Sequence, residues 1–253
     1  MLKLILKYHQ RLRMTNSIVI IPTYNEIENI EAIIRAVFSH SKDVHILIVD
    51  DNSPDLTASK VKELQSEFPE RLFIEERKEK SGLGTAYIHG FKWCLQKTYE
   101  YIIEMDADFS HNPKDLPRLY EACHKQGADL AIGSRYVTGV NVVNWPMSRV
   151  LMSYFASKYV RIITGMKIHD TTAGFVCYKR NVLESINLDT IKFIGYAFQI
   201  EMKFKAYLKA FKIVEVPVIF TDRTRGESKL SSGIISEAIF GVISMKMKSL
   251  FKK

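Results

Sequence analysis

Cysteine is scarce in this chain: Cys94, Cys123 and Cys177 are its three thiols, far apart and with no CxxC pair among them. That spacing argues against a disulfide framework and against a cysteine-built zinc site; it fits reduced packing residues in a reducing compartment. Long apolar runs are missing too. No window of about 18 residues is both apolar and free of charge, so no transmembrane helix is expected. There is no GxSxG, and the 7 histidines are scattered, which leaves a nucleophilic hydrolase without support. Internal repeats, low-complexity tracts and linkers are also lacking, so the 253 residues read as one main domain, 16–230. It is flanked by an N-terminal extension, 1–15, and a basic amphipathic C-terminal helix, 231–253. The opening MLKLILKYHQRLR is basic throughout and has no small-residue cleavage site, so it is a poor signal peptide. A short amphipathic anchor and a start upstream of Met14 both fit it.

The hydrophobic fraction of 47% and charged fraction of 25% are those of an ordinary globular protein. The net charge of +8 favours anionic partners such as phosphate groups or an acidic membrane surface. Nucleic acid is not expected, because the basic residues are not interleaved with aromatics and no nucleic-acid motif appears. Apolar, β-branched segments alternate with helical ones through the first half. SIVIIP (17–22), HILIVDD (45–51), RLFIEE (71–76), YIIEMDAD (101–108) and ADLAIGSR (128–135) read as strands. Residues 26–39, a stretch carrying Val61, Leu64 and Phe68, and residues 85–97 read as helices. This alternation predicts an α/β fold with a Rossmann-like, mostly parallel sheet covered on both faces. The second half is less regular: a long amphipathic stretch (145–164), a strand in TAGFVCYKR, a helix around 198–211, a strand IVEVPVIF, a basic loop and a last helix.

Ligands of such sheets bind beyond the carboxyl ends of the strands. Three acid-containing clusters fall there: Thr23-Tyr24-Asn25-Glu26, Asp50-Asp51 and Asp106-Ala107-Asp108. In EMDADFSH two carboxylates flank one small residue. They form either a polar loop capping a helix ahead of Pro113, or a pair whose repulsion a divalent cation converts into coordination. SGLGTA (81–86) lacks the third glycine of a dinucleotide fingerprint and follows the third strand, so it predicts a tight turn with close backbone packing. His111 reads as a histidine satisfied within its loop. DRTRGESKL (222–230) holds Arg223, Arg225 and Lys229 on a turn-rich loop, which is either a solvated basic loop or a phosphate-recognition loop; Arg135 and Arg149 are further cations for the same task.

Taken together, IPTYNE (21–26), VDDNSPD (49–55), KSGLGTAYIHGF (80–91), MDADFSH (105–111), IGSRYV (132–137), NWPMSR (144–149), TAGF (172–175), GYAFQIEM (195–202) and DRTRGESKL resemble polyprenol- (dolichol-) phosphate mannose synthases, which are inverting family-2 glycosyltransferases. The resemblance runs in order from about Asn16 to Leu230. IPTYNE and the DxD mark the broad superfamily, while GYAFQIEM with DRTRGESKL is specific to the polyprenyl-phosphate branch. It implies an A-type glycosyltransferase fold and a set of placements. Pro22, Tyr24 and Glu26 would line the base and ribose of the donor nucleotide, with Val49 and Asp51 completing that pocket. Asp106 and Asp108 would hold Mg²⁺ or Mn²⁺ against the donor diphosphate, with the Ala107 backbone beside it. Ser110 stands where some members carry a glutamine metal ligand. Arg135, Arg223 and Lys229 would gather the donor and acceptor phosphates.

The expected reaction is transfer of a hexose, mannose from GDP-mannose, to a polyprenyl phosphate. Two rivals stay open: a glucosyl or other hexosyl transferase using a UDP-sugar on the same lipid, and a non-catalytic nucleotide-sugar-binding membrane scaffold. Retention of both the acidic pair and the basic loop argues against the scaffold. A lipid phosphate has a second pKa of roughly 6, so it needs no strong base; Glu201 reads as a structural residue at a helix start. The lipid acceptor, with no segment able to span a bilayer, implies a peripheral protein on the cytoplasmic face of an anionic membrane. Ile235, Ile239, Val242 and Ile243, followed by Lys246, Lys248, Lys252 and Lys253, would make the last helix an interfacial one.

Overall fold

The structure is a computed structural model that describes residues 13–195, 197–222 and 232–251, without the side chains of 232–239. Most of the expected N-terminal extension, the loop bearing Arg223, Arg225 and Lys229, and the last two lysines lie outside the described residues.

The chain runs β1 (Ser17–Thr23), α1 (Ile30–His40), β2 (His45–Asp50), α2 (Thr57–Gln65), β3 (Leu72–Glu76), α3 (Leu83–Leu95), β4 (Tyr101–Glu104), α4 (Leu116–His124) and β5 (Leu130–Ser134). It continues through β6 (Val142–Val143), α5 (Met147–Thr164), β7 (Val176–Lys179), α6 (Arg180–Ser185), α7 (Ala197–Leu208), β8 (Ile213–Pro217), β9 (Phe220–Thr221) and α8 (Ser232–Phe251). Single 3₁₀ turns precede α4 and follow α6. Seven strands form one sheet in the order β3-β2-β1-β4-β7-β5-β8, and β6 pairs with β9 in a separate ribbon. The expected parallel sheet is interrupted once: β7 is antiparallel to both β4 and β5. TAGF, read as the start of that strand, instead forms a loop ahead of Val176. The first helix begins at Ile30, four residues later than predicted; residues 27–29 form a turn in which the Glu26 carbonyl accepts from the N–H groups of Asn29 and Ile30.

Period-two alternation in buried strands sends successive side chains to opposite faces. Val19, Ile21, Ile46, Ile48 and Ile103 join Ile33, Ile34 and Val37 of α1 and Leu119 of α4 in one core. Ile18, Ile20, Leu47, Val49 and Ile102 join Tyr87 and Phe91 of α3 and Phe198 and Phe204 of α7 in the other. The three cysteines are buried and free, as packing residues.

The turn before α3 shows why SGLGTA carries glycines. Gly82 has φ +103, and the Gly84 N–H donates to the Ile194 carbonyl at 2.8 Å. A Cβ on Gly84 would stand 2.8 Å from Phe198 Cγ and 2.9 Å from the Phe193 carbonyl oxygen, closer than real contacts allow. Gly84→Ala is therefore expected to destabilise by about 1–3 kcal/mol through overpacking, seen as a Tm lowered by several degrees in a thermal melt. An unchanged Tm would mean that α3 and α7 are less tightly apposed than described.

Candidate active site

Parallel register brings the carboxyl ends of β1, β2 and β4 to one rim. Thr23 pairs with Asp50 across the sheet, and its hydroxyl donates to Asp50 Oδ2 at 2.7 Å. Pro22, Tyr24 and Glu26 are half-buried at this end of β1, and Lys80 Nζ lies 4.3 Å from the centroid of the Tyr24 ring. Asp51 is held from both sides by Arg77, at 2.6 Å to Oδ1 and 2.7 Å to Oδ2. The same guanidinium reaches Thr85 Oγ1 at 2.8 Å, which ties the rim to the start of α3. The Val49 side chain is fully buried in the core and backs this region from within.

Beyond β4 the chain makes a tight loop. Phe109 takes a left-handed φ of +61, costly for a bulky residue and a mark of functional loops. Asp106 Oδ1 accepts from the Tyr87 hydroxyl at 3.1 Å, and Asp108 Oδ1 accepts from the Ser110 N–H at 3.0 Å. Burial, reinforced by the Asp106 charge, raises the Tyr87 pKa, so its hydroxyl stays a donor. The Asp106 N–H donates to His111 Nδ1 at 3.0 Å, and the imidazole stacks on Phe175 with centroids 5.0 Å apart, so His111 is satisfied within its loop. Asn112 caps the turn at Pro113 by accepting from the Lys114 N–H at 3.1 Å. The loop thus has the expected helix cap ahead of Pro113, and both carboxylate residues still line one cavity.

That cavity has a volume of about 500 Å³. Asp106, Asp108, Ser110 and Arg135 line it, together with Arg149, Met152, Phe155, Ala156, Tyr159 and Val160 of α5. Thr172, Ala173, Gly174 and Gln199 line it as well. Pro22, Tyr24, Glu26, Val49 and Asp51 are not among its walls.

Its two guanidiniums are each paired. Arg135 binds Asp170 through Nε at 2.7 Å, Nη2 at 2.6 Å and its own backbone N–H at 2.9 Å, and reaches Thr172 Oγ1 at 2.9 Å. Arg149 donates to Asp222 Oδ1 at 2.8 Å and lies over the Trp145 ring at 4.1 Å. Burial works to raise the Asp170 pKa, but the charge and hydrogen bonds of Arg135 outweigh it and hold the carboxyl below its ordinary range. Farther in, Gln199 Nε2 donates to Glu104 Oε2 at 2.8 Å, and Lys203 Nζ donates to the Ala173 carbonyl at 2.6 Å. Burial pushes the Glu104 carboxyl up and the Lys203 ammonium down, each shift limited by the opposite charge of the other. Glu201 faces away from this chemistry: its Oε2 accepts from the N–H groups of Lys192 and Phe193, and Lys205 pairs with Oε1 at 3.3 Å.

The donor set suits a hard divalent cation. Asp106 and Asp108 offer oxygen ligands to one cavity, and the buried Ser110 hydroxyl beside them has no hydrogen-bond partner among the described residues. No group of three or more His, Cys, Asp or Glu able to hold a metal occurs among the described residues. An ion here would therefore draw the rest of its shell from water and a bound phosphate, as Mg²⁺ commonly does. Sequence reasoning did not single out Arg77, Asp170, Gln199 or Lys203. The available signals were adjacency alone: Asp170 precedes TAGF in HDTTAGF, and Lys203 follows GYAFQIEM directly.

The profile of glycosyl transferase family 2 matches residues 18–186. The chain is 48% identical over 226 residues, 89% of its length and 85% of the other, to a polyprenol monophosphomannose synthase of Mycolicibacterium smegmatis. It is 45% identical over 223 residues, 88% of its length and 90% of the other, to an undecaprenyl-phosphate mannosyltransferase of Micrococcus luteus. Its fold resembles that of a mannosyltransferase from Pyrobaculum calidifontis solved with GDP-mannose and Mn²⁺, with a TM-score of 0.57 at 17% identity, covering 95% of this chain and 75% of that one.

Asp170→Asn leaves Arg135 buried beside a neutral amide, which is expected to cost about 3–5 kcal/mol at neutral pH. Because the folded-state pKa of Asp170 is depressed, its contribution is complete above the unfolded carboxylate value of about 4 and is lost as pH falls through the folded value. Urea unfolding from pH 3 to 7 should give a steeper acid slope for the wild type than for the variant; parallel slopes would contradict the pairing.

Proposed function

This chain belongs to glycosyl transferase family 2, and from that premise we propose that it transfers mannose from GDP-mannose to a polyprenyl phosphate, with inversion at the anomeric carbon. The observation that carries the reading is one cavity lined both by carboxylates and guanidiniums and by apolar side chains of α5. An acceptor with an anionic head and a hydrocarbon tail uses both. The Mycolicibacterium and Micrococcus relatives are named for such acceptors, and the Pyrobaculum enzyme was solved with GDP-mannose and Mn²⁺, which supports the choice of donor and of a divalent ion.

In this reading Pro22, Tyr24, Glu26 and Asp51 receive the nucleotide, backed by Val49, and the Ala107 backbone lies beside the diphosphate. A Mg²⁺ or Mn²⁺ ion held by Asp106, Asp108 and Ser110 would supply Lewis-acid stabilisation of the departing diphosphate. Tyr87 fixes the Asp106 carboxylate by hydrogen bonding to it. Arg135 and Arg149, oriented by Asp170 and Asp222, hold the acceptor phosphate; Arg223 and Lys229, outside the described residues, would add to them. One acceptor oxygen forms a bond to the anomeric carbon as that carbon's bond to the GDP oxygen breaks, and GDP leaves with the electron pair. The phosphate is mostly dianionic near neutrality, so no side chain has to remove a proton.

The acceptor brings the protein to a membrane surface, its cytoplasmic face in our reading. No helix among the described residues is long and apolar enough to cross a bilayer. Met147, Leu151, Phe155 and Ile162 of α5 are nevertheless exposed, as are Phe240, Met247, Leu250 and Phe251 of α8, which packs beside α5. α8 is anchored by its other side: Val242 is buried, and a Cβ on Gly241 would meet the Phe193 ring at 2.4 Å. One side of the helix therefore serves the core, and there the Lys246 ammonium, expected at the membrane, instead donates to the Thr164 carbonyl at 3.1 Å; the exposed apolar side chains with Lys248 suit an interface of acyl chains and anionic headgroups.

Three measurements test this. Asp108→Asn is expected to reduce transfer by at least a hundredfold across a Mg²⁺ and Mn²⁺ titration, with Tm unchanged. The product of the wild type should have the mass and β-configuration of mannosyl phosphoryl polyprenol; transfer from UDP-glucose in preference to GDP-mannose would favour the glucosyl rival, and full activity without divalent metal would remove the ion. Separately, Phe240→Ser with Phe251→Ser should weaken sedimentation with anionic vesicles about tenfold or more, since a buried Phe contributes roughly 1.5–3 kcal/mol. Binding that ignores both substitutions would return α8 to a purely structural role.

A further inference from the structure

Lys203 is fully buried, in the middle of α7, with no role in the chemistry just described. Its ammonium donates to three oxygens: the Ala173 carbonyl at 2.6 Å, the Gln199 carbonyl at 3.2 Å and Gln199 Oε1 at 3.2 Å. Gln199 passes the connection on, because its amide nitrogen donates to Glu104 at 2.8 Å on the strand that leads into Asp106. The Ala173 carbonyl belongs to the loop between Asp170 and Phe175, whose ends are tied by the Asp170 N–H to Glu215 and by the Phe175 carbonyl to the Gly133 N–H. Lys203 holds the middle of that loop. Ala173, Gly174 and Gln199 all face the cavity, and a Cβ on Gly174 would lie 3.5 Å from His111 and 3.8 Å from the Gln199 amide. One ammonium thus spaces the loop, the Gln199 amide and the Asp106 loop around the place where a sugar must sit.

A buried ammonium is an expensive way to fill space, since a volume-matched apolar residue at such a site is often neutral or stabilising. What the charge adds is direction: three oxygens on two elements are fixed at hydrogen-bond distance. We propose that Lys203 is a positioning residue for glycosyl transfer, holding Gln199 and the Ala173–Gly174 backbone as the wall that seats the transferred sugar against the acceptor phosphate. The inference rests on the glycosyl-transfer reading of the cavity. The Lys203 ammonium donates to Ala173 and Gln199, and the cavity walls exclude Tyr24, Glu26 and Asp51, so its loss is expected to fall on the transfer step more than on nucleotide binding.

The test compares wild type, Lys203→Met and Lys203→Gln, with the pair Lys203→Met/Glu104→Gln included so that no buried carboxylate is stranded if the single variant folds poorly. Steady-state transfer from GDP-mannose, calorimetric GDP binding with Mn²⁺, and hydrogen exchange of the 172–175 amides are measured on each folded variant. Lys203→Met should lose tenfold or more in kcat with GDP affinity within threefold of wild type, exchange at 172–175 should accelerate while that of β1 does not, and Lys203→Gln should fall between the two. Wild-type kcat, or a parallel loss of kcat and GDP affinity, would overturn the proposal. Failure of the wild type to use GDP-mannose would instead discredit the donor assignment, and the exchange experiment would then decide on Lys203 alone, with unchanged protection at 172–175 counting against it.

Discussion

An antiparallel strand placed between parallel neighbours begins at the rim where those neighbours end, and β7 does this between β4 and β5. The loop entering β7 is thereby forced against the loops leaving the other two strands. Asp170 meets Arg135 after β5, Phe175 stacks on His111 after β4, and Ala173–Gly174 lines the space between them. Had β7 run parallel, its entry loop would lie at the far end of the sheet and the cavity would lose one wall. The sheet pairing of β7 with both neighbours holds this arrangement, with Tyr178 and Cys177 buried on opposite faces.

Ion pairs then fix what the sheet brings together. Asp170 is completely buried, so its carboxylate persists only because Arg135 binds it from three nitrogens. The guanidinium is in return unable to swing and keeps one orientation at the cavity wall. Arg77 imposes the same rigidity on Asp51 at the carboxyl end of β2. Lys203 and Glu104, linked through Gln199, extend the pattern under the cavity floor. Polar groups in a low-dielectric interior are held where they lie because moving them strands a partner.

The cavity itself joins two solvents. Its lining divides between carboxylates and guanidiniums and the apolar side chains of α5, and the latter continue onto exposed helix surface. This division explains why α5 shows a weak core pattern, with only Ser157, Val160 and Thr164 buried along its 18 residues. A helix with apolar side chains inside, along the cavity and outside has no single face to bury.

Much of this was readable from residue order. Alternating apolar segments specified the two-faced sheet, because strand and helix periods are local properties of the chain, and they located Thr23, Asp50-Asp51 and Asp106–Asp108 at strand ends on one rim. The glycines of SGLGTA announced a tight approach before its partner, Phe198, was known. The direction of β7 was not readable, since VCYK packs equally well either way and pairing is decided by strands far away in sequence. Nor were the partners of the charged residues. Asp170 lies 35 positions from Arg135, Lys203 lies 30 from Ala173, and Arg77 lies 26 from Asp51. No local pattern requires a lysine in α7 to be buried; only the meeting of α7 with the β7 entry loop adds the Ala173 carbonyl to the two Gln199 oxygens of its own helix. The sequence by itself determined which elements form and which residue types reach the rim. The tertiary structure alone decided which charges face one another, because burial and partnership arise only when distant segments close around the same space.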